Sequence, residues 1–141
     1  MSNKNIITIV RKFEFCAAHK LSREDWSEKK NKEIFGKCSH PNFHGHNYKV
    51  WICLKGEIDP DTGMVYNLSK LKNILNKEIV EIFDHKNLNL DVKEFKNLIP
   101  TAENIALVIF ERLKKPIGNL LHSIRLQETS NNFVEYCPIK N

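Results

Sequence analysis

Three of the six histidines in this chain sit where a strand pattern would gather them. Gly45 alone separates His44 from His46, and residues two apart on a strand point to the same side of a sheet. The glycine removes bulk from the opposite side. His19 ends a run in which Ile7, Ile9, Phe13, Phe15 and Ala17 share one face. Antiparallel pairing would lay the end of this run beside the start of the next and bring three imidazoles to one rim. Three histidines with no fourth protein ligand suit a catalytic zinc, which keeps one position open for water or substrate. A lone histidine is more often a core or capping residue satisfied by hydrogen bonds. Convergence favours the metal, and His40, His85 and His122 do not share it. Ligand type alone leaves iron or another divalent ion open.

Glu128 follows the same parity. Ile124 and Leu126 point inward, and the next residue on their face is a carboxylate. Burying it unpaired is costly, so it needs a partner. That partner is either solvent or a lysine at the sheet edge, or a ligand edge with two adjacent N–H donors.

The positioning elements are legible from periodicity. Residues 6–19 alternate as a half-buried strand, and a second strand carries Tyr48, Val50, Ile52 and Leu54 on the face that His44 and His46 begin. Between them, residues 20–43 are polar and charged and read as a long functional loop. GEIDPDTG is turn chemistry. Asn67 caps a helix with the stripe Leu68, Leu71, Leu75, Ile79, Ile82 and Phe83, ending near Asp84. After a connection over 84–100, Thr101 caps a second helix that turns Ile105, Ile109 and Leu113 inward and closes at Pro116 and Gly118. Two strands, about 120–128 and 132–137, form a final hairpin. The order strand, strand, helix, helix, strand, strand predicts one α+β domain over residues 1–141: a four-stranded antiparallel sheet with both helices on one face. Its two open edges must be paired or covered, which predicts oligomerisation by sheet extension.

Composition narrows the partners. With 41% hydrophobic and 28% charged residues, the chain is an ordinary globular protein, any disorder confined to its extreme termini. No run approaches the roughly 18–20 apolar residues of a membrane span, and the N-terminus alternates rather than forming a signal-peptide block. The four cysteines are scattered, without the short paired spacing of a zinc knuckle or a disulfide framework, which fits a reduced cytoplasmic protein. A net charge of +5 admits an anionic partner, although solvated lysine-rich helix faces also explain it. No basic block interleaved with aromatics argues for nucleic acid, and a polyphosphate substrate satisfies the charge more economically.

The stretch FGKCSHPNFHGHNYKV, followed by GEIDPDTGMVYNL, FDHKNLNLDV, PTAEN and QETSNN, resembles the 6-pyruvoyltetrahydropterin synthase family. That family includes the closely similar bacterial 6-carboxytetrahydropterin synthases of the queuosine pathway. The likeness runs from about Phe13 to Tyr136 with the motifs in order. It implies the tunnelling fold, whose strands pair between subunits into a barrel, and a homohexamer built as a dimer of trimers. It implies zinc on His19, His44 and His46, and 7,8-dihydroneopterin triphosphate as substrate. Cys38 matches the family's catalytic base on the side-chain carbon. Asp84 and His85 match the pair that tunes the cysteine and shuttles protons. Glu128 matches the pterin anchor, Glu103 a second carboxylate at the pterin, and Thr101 a further contact to it.

Taken without the resemblance, Cys38 is an ordinary free thiol, Asp84–His85 a helix cap, and Glu103 a favourable first-turn acid. Ala102 departs from the pattern, standing where members often carry a second hydroxyl. Two products remain open. Five residues separate Cys38 from His44, the longer spacing of biopterin-type members, while SHPNFHGHNY and PTAENIA are similar to bacterial segments. A non-catalytic metal- or pterin-binding module is the alternative. It would not require Cys38, Asp84 and His85 together.

Overall fold

The computed structural model describes residues 5–139, so the extreme termini lie outside the described residues. Strands β1 (Ile6–His19) and β2 (His44–Glu57) pair antiparallel along their whole length, from Ile6 opposite Glu57 to His19 opposite His44. β2 pairs with β4 (Leu121–Thr129), which pairs with β5 (Asn132–Tyr136), both antiparallel.

The expected four-stranded, wholly antiparallel sheet needs correction. A fifth strand, β3 (Lys86–Asn87), runs parallel to β1 beside Ala17 and Ala18, giving the order β3-β1-β2-β4-β5. Two residues are too few to show alternation. Parallel pairing, moreover, is reached only by a long crossover, which leaves no local signal.

One face of the sheet forms the core. Phe15 and Ala17 of β1, Tyr48, Val50, Ile52 and Leu54 of β2, and Leu121, Ile124 and Leu126 of β4 are buried. Against them pack α2 (Leu68–Leu75) and α5 (Ala102–Ile117), the latter through Ile105, Ile109 and Leu113. Asn67 caps α2 by accepting from the N–H groups of Ser69 and Lys70. Beyond α2 the chain widens into a π turn (Asn76–Val80) before a last short turn, α3 (Glu81–Phe83). The cause lies in the stripe. Leu71, Leu75, Ile79 and Phe83 recur every four residues, and a 3.6-residue helix would rotate such a row by about 40° at each step. A wider turn takes up the surplus residue, and all four side chains stay in the core. α5 runs one residue past Pro116 before Gly118, at φ 83°, ends it.

The opposite face carries Val10, Trp51, Cys53, Arg125 and Phe133 (the first and last 54% and 56% exposed) and bulges at His122, where the β2–β4 register shifts. Among the described residues, no helix is long and apolar enough to cross a membrane.

The segment 20–43, expected as a loop, contains α1 (Glu28–Phe35) and a 3-10 turn (Gly36–Ser39). Ser27 caps α1 and Gly36, at φ 57°, closes it. The only buried side chain of α1 is Asn31, so no apolar stripe marked the helix. Asn31 acts as a polar core instead, accepting from Arg23 N–H and donating to the Arg23 carbonyl.

Candidate active site

Register delivers the imidazoles as parity requires. His19 lies opposite His44, and Ala17 opposite His46. Ring centroids are 4.5 Å apart for His19–His44, 4.9 Å for His44–His46 and 5.1 Å for His19–His46. One nitrogen from each ring lies within 4.8 Å of the others. His19 is wholly buried, and its Nδ1 bonds the Pro100 carbonyl oxygen at 2.8 Å, which fixes the tautomer and turns Nε2 to the pocket. Both ring nitrogens of His44 and Nε2 of His46 are buried with no hydrogen-bond partner. Orphaned nitrogens of this kind cost free energy in a structural role, whereas a bound divalent cation satisfies them.

Burial pulls the His19 imidazole down to about 4; the Pro100 bond opposes the shift, and His44 and His46 add to it. Burial lowers His44 and His46 as well. All three are therefore neutral near pH 7, with lone pairs free for a metal. The same shift makes the metal-free protein acid-labile. At and above the unfolded value of 6.5 the His19 contribution is fully present, because neither state binds the proton. It is lost as pH falls from 6.5 to about 4, where only the unfolded chain takes one up. Integrated over that window the loss is about 3 kcal/mol. Thermal melts of metal-free protein should show Tm falling steadily from pH 7 to pH 4.5. A flat profile would rule out a neutral, buried triad.

Tyr48 completes the floor. Its hydroxyl lies 3.3 Å from both ring nitrogens of His19, and its ring stacks on Phe15 at 4.9 Å. The sequence placed Tyr48 on the histidine face only as a core residue; the parity that aligned it with His44 and His46 was the available signal.

Glu128 projects into the same pocket. Its carboxylate oxygens stand 3.9 Å from His19 Nε2 and 3.7 Å from His46 Nε2. Burial pushes its carboxyl up, His44 opposes that, and the negative charge of Glu103 adds to it. The Glu128 side chain is 23% exposed, so solvent reaches it, yet its nearest polar groups are imidazoles rather than a lysine. Cys38 is carried by the 3-10 turn, whose position is fixed by a 2.8 Å bond from Leu21 N–H to the Cys38 carbonyl. Burial raises its thiol, and the charge of Glu128 raises it further. Thr101 caps α5 by accepting from Asn104 N–H at 3.2 Å, and Glu103 stands exposed in the first turn of that helix.

Asp84 and His85 lie elsewhere. The Asp84 carboxylate bonds His85 Nδ1 at 2.9 Å and accepts from Cys16 N–H at 2.8 Å, while His85 N–H donates to the Cys16 carbonyl. The His85 ring is 82% exposed and its backbone is left-handed, at φ 59°. Cys16 alternates with Ala17 and His19, so the pair is anchored beyond the sheet edge rather than beside Cys38.

A largely antiparallel sheet with helices on one face is the architecture of the tunnelling fold. The sequence profile described as 6-pyruvoyl tetrahydropterin synthase matches residues 8–138. The chain belongs to that family, a family of lyases. It is 46% identical over 130 residues to the 6-pyruvoyl tetrahydrobiopterin synthase of Pongo abelii, covering 91% of this chain and 89% of the relative. The structure of Caenorhabditis elegans 6-pyruvoyl tetrahydropterin synthase superposes with a TM-score of 0.92 at 42% identity, covering 99% of this chain and 100% of the other. The 6-carboxy-5,6,7,8-tetrahydropterin synthase of Haemophilus influenzae is 32% identical over 148 residues, covering 91% of this chain and 96% of its own.

Proposed function

We propose that this chain converts 7,8-dihydroneopterin triphosphate to 6-pyruvoyltetrahydropterin, releasing triphosphate, with zinc on His19, His44 and His46. The observation that carries this reading is the triad with its orphaned nitrogens, beside the Glu128 carboxylate. A zinc ion there would polarise the hydroxyls of the substrate side chain and stabilise enediolate-like charge. Cys38 takes the proton from the first side-chain carbon, and the electrons left behind reduce the ring; loss of the proton from the second carbon then expels the triphosphate from the third. Oxidation of the side chain is balanced by reduction of the ring, so no nicotinamide is consumed. Glu128 accepts from a pterin ring N–H and the exocyclic amine together, with Glu103 as the second carboxylate and Thr101 beside it.

Within one chain Asp84 and His85 are tied to Cys16, so their proton-shuttling role calls for a neighbouring subunit. The exposed Val10 and Phe133 and the open sheet edges support a homohexamer closed by strand pairing. Light scattering that found only monomer would sink this part of the reading. Four free cysteines fit a reducing cytoplasm.

The pyruvoyl product is favoured by the five-residue Cys38–His44 spacing and by the 46%-identical relative of that name. Mass spectrometry after incubating zinc-loaded protein with the substrate should detect 6-pyruvoyltetrahydropterin and triphosphate. A 6-carboxy product with acetaldehyde would transfer the chain to the other branch of the family. Pterin binding without turnover would make it a non-catalytic module.

A further inference from the structure

A groove of about 1000 Å³ opens beside the imidazole triad, lined among others by Lys20, Phe43, Lys96, Thr101 and Asn104. It abuts the metal ligands at three points. Lys20 follows His19, Phe43 precedes His44, and Pro100, also in its wall, holds His19 Nδ1.

Its charge is not that of an ordinary surface. Lys20 and Lys49 are the only lysines that are not exposed among the described residues. The Lys20 ammonium stands 4.9 Å from the centre of the Phe43 ring, and no carboxylate pairs with it. Its backbone is clamped from both sides by Asn89, which accepts from Lys20 N–H at 2.8 Å and donates to the Lys20 carbonyl at 3.0 Å. Stem and cation are thus held in place before any anion arrives. Lys96 is exposed on the wall, with no ion-pair partner among the described residues. Of the acids at the rim, Asp25 is held by Arg23 in a two-point contact, and Glu24 is exposed. The start of α5 also lines the groove through Thr101 and Asn104.

We propose that this groove takes the triphosphate of the substrate, with Lys20 on the phosphate nearest the metal centre and Lys96 on a distal one. The assignment rests on the substrate proposed above. An extended polyanion matches a roomy, polar groove with two separated ammonium groups better than a single phosphate would. Lysine suits it as a compact point charge that needs no planar, bidentate geometry.

The test compares Lys20→Gln and Lys96→Gln with wild type as zinc-loaded enzymes. Lys20→Gln keeps the Asn89 clamp, which engages backbone only, and Lys96 is exposed, so neither change threatens the fold. Lys20→Gln should raise KM for dihydroneopterin triphosphate about ten- to hundredfold, and Lys96→Gln by a smaller factor. In both variants zinc content and the inhibition constant of unphosphorylated dihydroneopterin should stay at wild-type values. Lys20→Arg should restore most of the affinity. An unchanged KM in Lys20→Gln overturns the proposal, as does a parallel rise in the dihydroneopterin constant. If wild type turns over no substrate, the proposed reaction fails while the groove can still be judged. Calorimetric titration of inorganic tripolyphosphate into metal-free protein then decides it: binding weakened in Lys20→Gln supports the site, and equal binding removes it.

Discussion

Replacing His44 by alanine should strip the metal and, with it, turnover. Two imidazoles remain, and neither His19 nor His46 can close the coordination set alone. Zinc retained after dialysis should fall from one per chain to near none. Turnover should drop by at least about a thousandfold, equivalent to roughly 4 kcal/mol of transition-state stabilisation. A second readout separates a ligand from a structural histidine. Both His44 nitrogens are buried without a partner, so deleting them relieves an unpaired polar burden in the metal-free protein. The metal-free variant should melt no lower than metal-free wild type, while the stabilisation that zinc gives wild type is lost. Wild-type zinc stoichiometry and rate in the variant would end the metal assignment.

Cys38→Ala should lower kcat by about a hundred- to ten-thousandfold, the range spanned by a positioned acid or base. KM and zinc content should hold, because Cys38 is neither a member of the imidazole cluster nor the carboxylate beside it. Its side chain is half-buried on a short turn, so stability should change little. Alanine at Cys16, Cys53 or Cys137 serves as the control, and each should leave kcat within about twofold, as expected of side chains outside the pocket. Undiminished turnover in Cys38→Ala would refute the proton-abstraction role. The thiol has to be activated: burial and Glu128 both push it up in the chain alone, and positive charge in the pocket reverses that trend.

What could be read from the sequence follows from how each feature is encoded. The triad and Glu128 were legible because the strand period of two is rigid. Once Phe15 and Ala17 face the core so must His19, and Glu128 still reaches the face of Ile124 and Leu126 although the β4–β5 register shifts at it. Helix α5 was legible through a cap and a stripe together. Helix α1 was not, since its single buried side chain is the polar Asn31 and the helix is held by backbone bonds to Arg23 rather than by an apolar face. The Cys16 anchor of Asp84 and the pairs of strand β3 join residues 68 and 69 apart, and no local pattern records such contacts. The Asp84–His85 role therefore came from family resemblance alone, and the single chain leaves it half assembled.

One peptide stretch serves both halves of the pocket. The Pro100 carbonyl orients the His19 imidazole of the triad, and the next residue caps the helix that carries Glu103 in its first turn. A shift of that stretch moves both at once. If zinc and pterin bind as proposed, they are thermodynamically linked: whatever factor zinc adds to pterin affinity, pterin must return to zinc affinity. Such couplings typically amount to about 1–3 kcal/mol, enough for a cell short of zinc to hold the ion best in those copies that already carry substrate.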